Sequence, residues 1–306
     1  MPTLQQIRYL VAVADHLHFR RAAEECHVTQ PTLSGQLKEL EARLGTTLVE
    51  RSRSRVILTP VGQRIADKGR QVLRDVEEMH ALARQDQSPL SSVIRVGVVQ
   101  SLGSYLMPLV VADLHANHPR LGLYLREGGP STLVRDLEQG GLDLLFFPLP
   151  VARGDFEAMS LFREPIQVVM STDHPLADAD LIDPAQLRGQ TVLSLEPGHK
   201  LYEQVQMICE TYGADLSRDF EGTSLDTIRQ MVATGMGVSL MPALYVKSEV
   251  ARHDIVVAKS FRGTAPSITI GMIWRRGTAR EEEYRALAAL MCQTLKAVAP
   301  EVTVLG

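Results

Sequence analysis

The 306 residues predict an α/β protein in three parts: a winged helix-turn-helix, a linker helix and a larger two-lobed region. Three observations carry that reading. Residues 19–44, FRRAAEECHVTQPTLSGQLKELEARL, hold a short helical run, a break, and a second helix that is apolar on one side only. Residues 60–87 repeat apolar side chains at mixed three- and four-residue spacing along an otherwise charged helix. From Val93 onward, strand-like and helix-like runs alternate, the pattern of parallel α/β sheets.

At the front, Leu4, Ile7, Leu10, Val11 and Ala14 mark a helix over Leu4–His16 that packs behind the next two. Ala22 and Ala23 lie in a short helix that breaks near Cys26-His27-Val28. Thr29 caps the following helix, and Pro31 sits in its first turn, where a missing N–H costs nothing. Leu33, Leu37, Leu40 and Leu44 follow at spacings of 4, 3 and 4, one buried stripe. The opposite face is small and polar: Gln30 at the N-terminal end, then Pro31, Thr32, Ser34, Gly35 and Lys38. Such a face fits a DNA major groove. Gln30, Pro31, Thr32 and Ser34 can meet base edges, and Arg20 and Lys38 can reach phosphate. The same pattern also fits one helical pair of an all-α domain.

Residues 47–59 read as two short strands around a polar turn, a wing. Arg51, Arg53 and Arg55 alternate there, so an extended chain points all three one way, toward phosphate or a minor groove. A solvated hairpin tip is the other reading. Pro60 opens a long helix to about Gln87. Its seam of Val61, Ile65, Gly69, Val72, Val76, Met79 and Ala83 calls for a partner helix, most simply a second copy. Gln85–Ser92 is a linker.

Strands are expected at 93–99, 121–126, 142–147, 167–171, 191–195 and 238–240. Helices are expected at 101–118 (starting from a Ser/Gly-rich loop), 133–139, 201–212, 224–234 and 281–298. About 210 residues exceed one small sheet, which implies two lobes around a cleft. The expected domains are 1–60, 61–92 and 93–306. Lobe I takes about 93–165 and 268–306, and lobe II about 166–267.

Composition bounds the function. With 45% apolar and 22% charged residues the chain reads as globular, and no apolar run reaches the roughly 18 residues a membrane span needs. The N-terminus has no cleavage-site pattern, so no signal peptide is expected. Cys26, Cys209 and Cys292 are widely separated and odd in number, which speaks against a disulfide framework or zinc cluster and fits a reducing cytoplasm. The net charge of −4 divides into +2 over residues 1–60, zero over 61–87 and −6 beyond, so attraction for DNA is local to the front. Nine histidines are scattered without metal-ligand spacing, and no metal or cofactor is expected. Gly235–Pro242 lacks the spacing of a phosphate loop and reads as a helix-to-strand turn. No Gly-x-Ser-x-Gly, His-Glu-x-x-His or carboxylate pair indicates an enzyme.

The stretches HFRRAAEECHVTQPTLSGQLKELE, GSYLMPLVVADLHANHP, EPGHKLYEQVQMICETYGAD and TSLDTIRQMVATGMGVSLMPAL together resemble the LysR-type transcriptional regulators, most of all their OxyR, peroxide-responsive branch. The resemblance spans nearly the whole chain. It implies a periplasmic-binding-protein-like effector domain, homodimers pairing into homotetramers, promoter DNA and RNA polymerase as partners, and a role in the oxidative stress response. In that branch, the segment matching EPGHKLYEQVQMIC has a peroxide-reactive cysteine directly after the histidine and a second cysteine nine residues later. Here His199 and Cys209 fit, but the reactive position is Lys200. An ammonium forms neither a sulfenic acid nor a disulfide. Cys209 is then a redox candidate without its partner, or simply a buried apolar thiol.

The resemblance sets Lys200 and the Gln100–Ser104 loop at the cleft, with Thr223 nearby. A cation beginning a helix is mildly unfavourable and an anion would relieve it, while a second helix N-terminus at the loop also favours one. An anionic small-molecule effector held by Ser101, Ser104, His199, Lys200 and Thr223 is the expectation. A Lys200 that is merely salt-bridged is the alternative. Two further readings stay open: a redox regulator acting through another thiol, and a small-molecule binding protein with no part in gene regulation.

Overall fold

The computed structural model describes residues 1–306 except 52–55, 83–89, 91, 152–153, 223 and 253. It divides into two compact units, one of residues 1–87 together with 139–141 and a second of 88–138 and 142–306. Among the described residues no helix is long and apolar enough to cross a membrane.

The first unit opens with α1 (Leu4–His16), started by a reciprocal cap between Thr3 and Gln6. Then come α2 (Phe19–Glu25) and α3 (Gln30–Leu44), with Thr29 capping α3 and Gly45 ending it in the left-handed conformation. The turn between them places His27 at φ 55°, a region His tolerates better than most residues. Strands β1 (Val49–Arg51) and β2 (Val56–Leu58) pair antiparallel, and α4 runs from Pro60 to Leu82. Leu10, Val13, Ala22, Leu33, Leu37, Leu40 and Leu48 close one core. Leu44 does not join the stripe expected for it: it is 36% exposed at the last residue of α3.

The α4 seam is also spent differently than its spacing implied. Val61 and Ile65 pack on the core of their own unit, and Ala66 is fully buried in it. A Cβ on Gly69 would lie 2.8 Å from Ile7 of α1, so α1 fills the groove in the first half of the helix. Val72 and Val76 are half-buried and Met79 is 66% exposed. Ala83, Gln85 and the expected linker up to Pro89 lie outside the described residues.

The second unit comprises β3 (Val93–Val99), α5 (Gln100–Asn117), β4 (Gly122–Gly128), α6 (Pro130–Gln139), β5 (Leu144–Leu149), β6 (Phe156–Ser171), β7 (Leu181–Ile182), β8 (Thr191–Leu195), α7 (Lys200–Tyr212), β9 (Asp215–Gly222), α8 (Leu225–Ala233), β10 (Val238–Pro242), α9 (Ala243–Tyr245), β11 (Val256–Phe261), β12 (Ser267–Arg275), α10 (Glu281–Val298) and β13 (Thr303–Val304). The sheets are mixed rather than wholly parallel. Strand β3 runs parallel to β4 and β5, but β12 runs antiparallel to β5 and β6. In the other lobe β8 is parallel to β9 and β10, while β10 and β11 run antiparallel to β6.

One strand makes both lobes. The first part of β6 pairs with β12, Glu164 opposite Ile268 and Pro165 opposite Ser267. From Ile166 to Val169 the same strand pairs with β10. The stretch 167–171 is therefore the tail of a 16-residue strand. Ser101–Ser104, expected in a loop, lie in the first turns of α5, which begins at Gln100.

Candidate nucleic-acid interface and inter-lobe cleft

The outer face of α3 gathers Gln30, Pro31, Thr32 and Lys38 as exposed side chains, with Ser34 half-buried. Thr29 builds the end of that face: its hydroxyl lies 2.8 Å from the Thr32 hydroxyl and accepts the Thr32 N–H at 3.4 Å. A bare Gly35 keeps the surface low, with open space where a Cβ would be. Arg20, on α2, pairs with Glu24 at 3.0 Å, so a phosphate would compete with that exposed carboxylate. Arg51 ends β1, and Arg53 and Arg55 lie outside the described residues.

Two supports of this face were not foreseen. Gln6 of α1 is buried and donates to Gln36 of α3 at 3.2 Å, pinning the recognition helix from behind. Glu41 of α3 accepts the Leu48 and Val49 N–H groups at 2.8 and 3.1 Å, fixing the first wing strand to the helix. Thr59 does the same for α4, accepting the Gly62 N–H at 2.9 Å while donating to the Thr47 carbonyl. Gly62 has no room for a Cβ, which would collide with the Leu48 carbonyl.

Between the lobes of the second unit is a cavity of about 520 Å³, within the usual span of small-molecule sites. Its walls include Val99, Phe147, Pro148, Ile268 and Ile270, and the N-terminal turns of α5, α6 and α7 open onto it through Ser101, Ser131 and Lys200. Ser101 and His199 also line a smaller adjoining pocket of about 240 Å³ with Ser104, Tyr105, Glu127 and Asp226. Of the five expected effector residues, Ser101, His199 and Lys200 line the larger cavity, Ser104 lines the smaller pocket beside it, and Thr223 lies outside the described residues.

The electrostatics there are more balanced than the expectation held. Lys200 donates to Glu203 at 2.6 Å, so the anion that relieves this cation is supplied by its own helix. Ser104 donates to Glu127 at 3.3 Å. His199 caps α7 and is buried, and burial pushes its pKa below the ordinary value against the opposing pull of Glu196, leaving a neutral imidazole at neutral pH.

Cys209 lies nine residues beyond Lys200 on one unbroken helix, about 14 Å along its axis. It lines a different pocket, with Ser194, Tyr202, Gln206 and Arg218. Burial, with Asp215 adding to it, pushes the thiol up to about 11, so it is protonated and unreactive. Burial also raises Cys26 and Cys292. Among the described residues no cluster of His, Cys, Asp or Glu could hold a metal ion.

Two polar features of the cleft carried no sequence motif. Tyr105 of lobe I donates to Asp226 of lobe II at 3.4 Å, and Tyr245, edge-on to Tyr105, donates to the same carboxylate at 3.1 Å. Glu164, on β6 at the crossing, lines the cavity from a buried position. Its signal was a single acid inside the apolar run Leu161–Met170.

Comparison with known proteins agrees with this architecture. Residues 4–63 match the bacterial regulatory helix-turn-helix of the LysR family, and residues 87–296 match the LysR substrate binding domain. The chain is 39% identical over 285 residues to the DNA-binding transcriptional dual regulator OxyR of Escherichia coli K12, covering 93% of each. It is 34% identical over 295 residues to the hydrogen peroxide-inducible genes activator of Haemophilus influenzae, covering 96% of this chain and 98% of that one. The structure of full-length OxyR from Pseudomonas aeruginosa, in a cysteine-to-aspartate variant, superposes with a TM-score of 0.79 at 35% identity, covering 97% and 95% of the two chains. Helix-turn-helix in front and two-lobed domain behind, the chain belongs to the LysR family of DNA-binding transcriptional regulators and is OxyR-like within it.

Proposed function

We propose that this regulator is switched by a small molecule held between the lobes of its effector domain, and not by a cysteine pair. The carrying observation is the 520 Å³ cavity onto which α5, α6 and α7 open by their N-terminal turns. Those turns favour an anion, and Ser101, Ser104, His199, Lys200 and Thr223 are the residues we assign to it. The lysine at position 200 and the raised pKa of Cys209 support the exclusion of a thiol switch. A redox role for Cys209 has no support in its surroundings.

On the DNA side, Gln30, Pro31, Thr32 and Ser34 read bases, and Arg20, Lys38, Arg51, Arg53 and Arg55 hold phosphates. The protein works as a regulator rather than an enzyme, in the cytoplasm, as a homodimer or homotetramer on promoter DNA with RNA polymerase. Residues 1–60 are the DNA-binding domain, 61–92 the linker and dimerisation helix, and 93–306 the effector domain. Similarity to peroxide-inducible activators argues for genes of the oxidative stress response.

A thermal-shift screen of the full chain against small carboxylates tests the effector site. At least one is expected to raise the melting temperature of the native chain, and Lys200→Ala is expected to weaken that ligand tenfold or more. A silent panel, or a shift untouched by Lys200→Ala, overturns the assignment.

A further inference from the structure

Of the two buried acids among the described residues, Asp143 is paired with Arg95 and Arg280, whereas Glu164 meets no cation. Glu164 stands on β6, two residues before the strand leaves β12 for β10, and is 3% exposed. Its Oε1 accepts the Leu244 N–H at 2.8 Å, capping the start of α9. Among the described residues it has no other hydrogen-bond partner and no cation paired with it. A carboxylate so placed is costly to charge, and burial lifts its pKa to about 7.

Its open side is the cavity. Among the described residues the other charged or titratable groups facing that space are Arg135, Glu138, His199, Lys200 and Glu203. Lys200 is matched by Glu203, Arg135 is 60% exposed and 3.7 Å from Asp136, and His199 is neutral. Among the described residues no cation answers Glu164, so a visitor with an ammonium gains an ion pair in a poorly hydrated place. The same cavity offers three helix N-terminal turns to an anion, between apolar walls. We infer that the ligand is a compact apolar molecule bearing both a carboxylate and an ammonium, the ammonium being read by Glu164. This rests on the effector reading above and adds the amine and the residue that selects it.

Calorimetry on the full chain tests it with matched pairs: L-phenylalanine against 3-phenylpropanoate, and L-leucine against 4-methylpentanoate. At pH 8 the amino member of at least one pair is expected to bind at least tenfold more tightly than its deaminated counterpart. That lead is expected to shrink at pH 6, where Glu164 takes up a proton. Glu164→Gln keeps an acceptor for the Leu244 N–H but cannot become anionic, so it is expected to erase the lead while the plain acid still binds. Plain acids binding as well as their amino partners at pH 8 overturn the inference, as does a lead that survives in Glu164→Gln. The pH comparison on the native chain decides the matter even if that variant folds poorly. If neither member of either pair binds while other carboxylates do, this inference falls and the effector site stands; if no carboxylate binds, both fall.

Discussion

Gln30 and Lys38 share one exposed face of α3, yet they are expected to act differently. A glutamine amide can pair with a base edge, which is worth about 1–3 kcal/mol of discrimination, whereas an ammonium on phosphate carries no sequence information. Gln30→Ala is therefore expected to bring specific and random duplexes closer in affinity. Lys38→Ala is expected to weaken both alike and flatten the salt dependence by about one counterion. Gel shifts at several salt concentrations distinguish them, and equal loss on both duplexes for Gln30→Ala would remove it from the base-reading set. The exposed small polar face of α3 was legible because it lies opposite the leucine stripe. Glu41 was not: a carboxylate on a charged helix looks solvated, and its two N–H partners lie across a turn that no periodicity encodes. Lys200 was half legible. Its identity ruled out thiol chemistry, but its pairing with Glu203 depends on rotamers at the α7 N-terminus.

Among the elements, α4 shows a pattern whose first half is buried within its own unit. Its apolar spacing is real, but periodicity names only a buried face and not what buries it. Gly69 tells the two uses apart. An alanine there gains about 1 kcal/mol of helix propensity but presses a Cβ on Ile7 and Val11 of α1, and overpacking costs about 1–3 kcal/mol. The contacting Cγ2 methyl of Ile7 hangs on a branched Cβ and gives little, so the net is expected to be destabilising by about 1 kcal/mol, or roughly 4–8 °C for a unit of this size. Light scattering is expected to show an unchanged oligomer. Dissociation without a fall in melting temperature would return Gly69 to an intermolecular seam. Strand β6 failed for a different reason. Arg163, Glu164 and Pro165 interrupt its apolar run where it changes sheets, so a continuous strand reads as a loop followed by a short strand.

For the effector domain as a whole, those interrupting residues lie where β6 passes from one sheet to the other, and they bring a titratable group into the middle of the fold. Glu164 has an ordinary carboxyl pKa near 4.3 when unfolded and one raised to about 7 when folded, so between those values the folded state holds the extra proton. Stability from this group is then greatest at the acid end and falls as the pH rises through 7, by on the order of 3 kcal/mol across the window. Other groups are superposed on that slope, so the test is a difference: Glu164→Gln is expected to flatten the decline in effector-domain stability between pH 5 and pH 8, by urea or thermal unfolding without ligand. A variant that declines in parallel with the native chain would mean that Glu164 is already solvated or paired. The two lobes could be anticipated from the chain length and strand alternation. Their coupling could not, because Tyr105 and Asp226 are 121 residues apart and Glu164 and Leu244 are 80. Those two contacts join the lobes beside the cleft and at the β6 crossing. A ligand that changes the charge at Glu164 therefore acts where β6 passes from one sheet to the other.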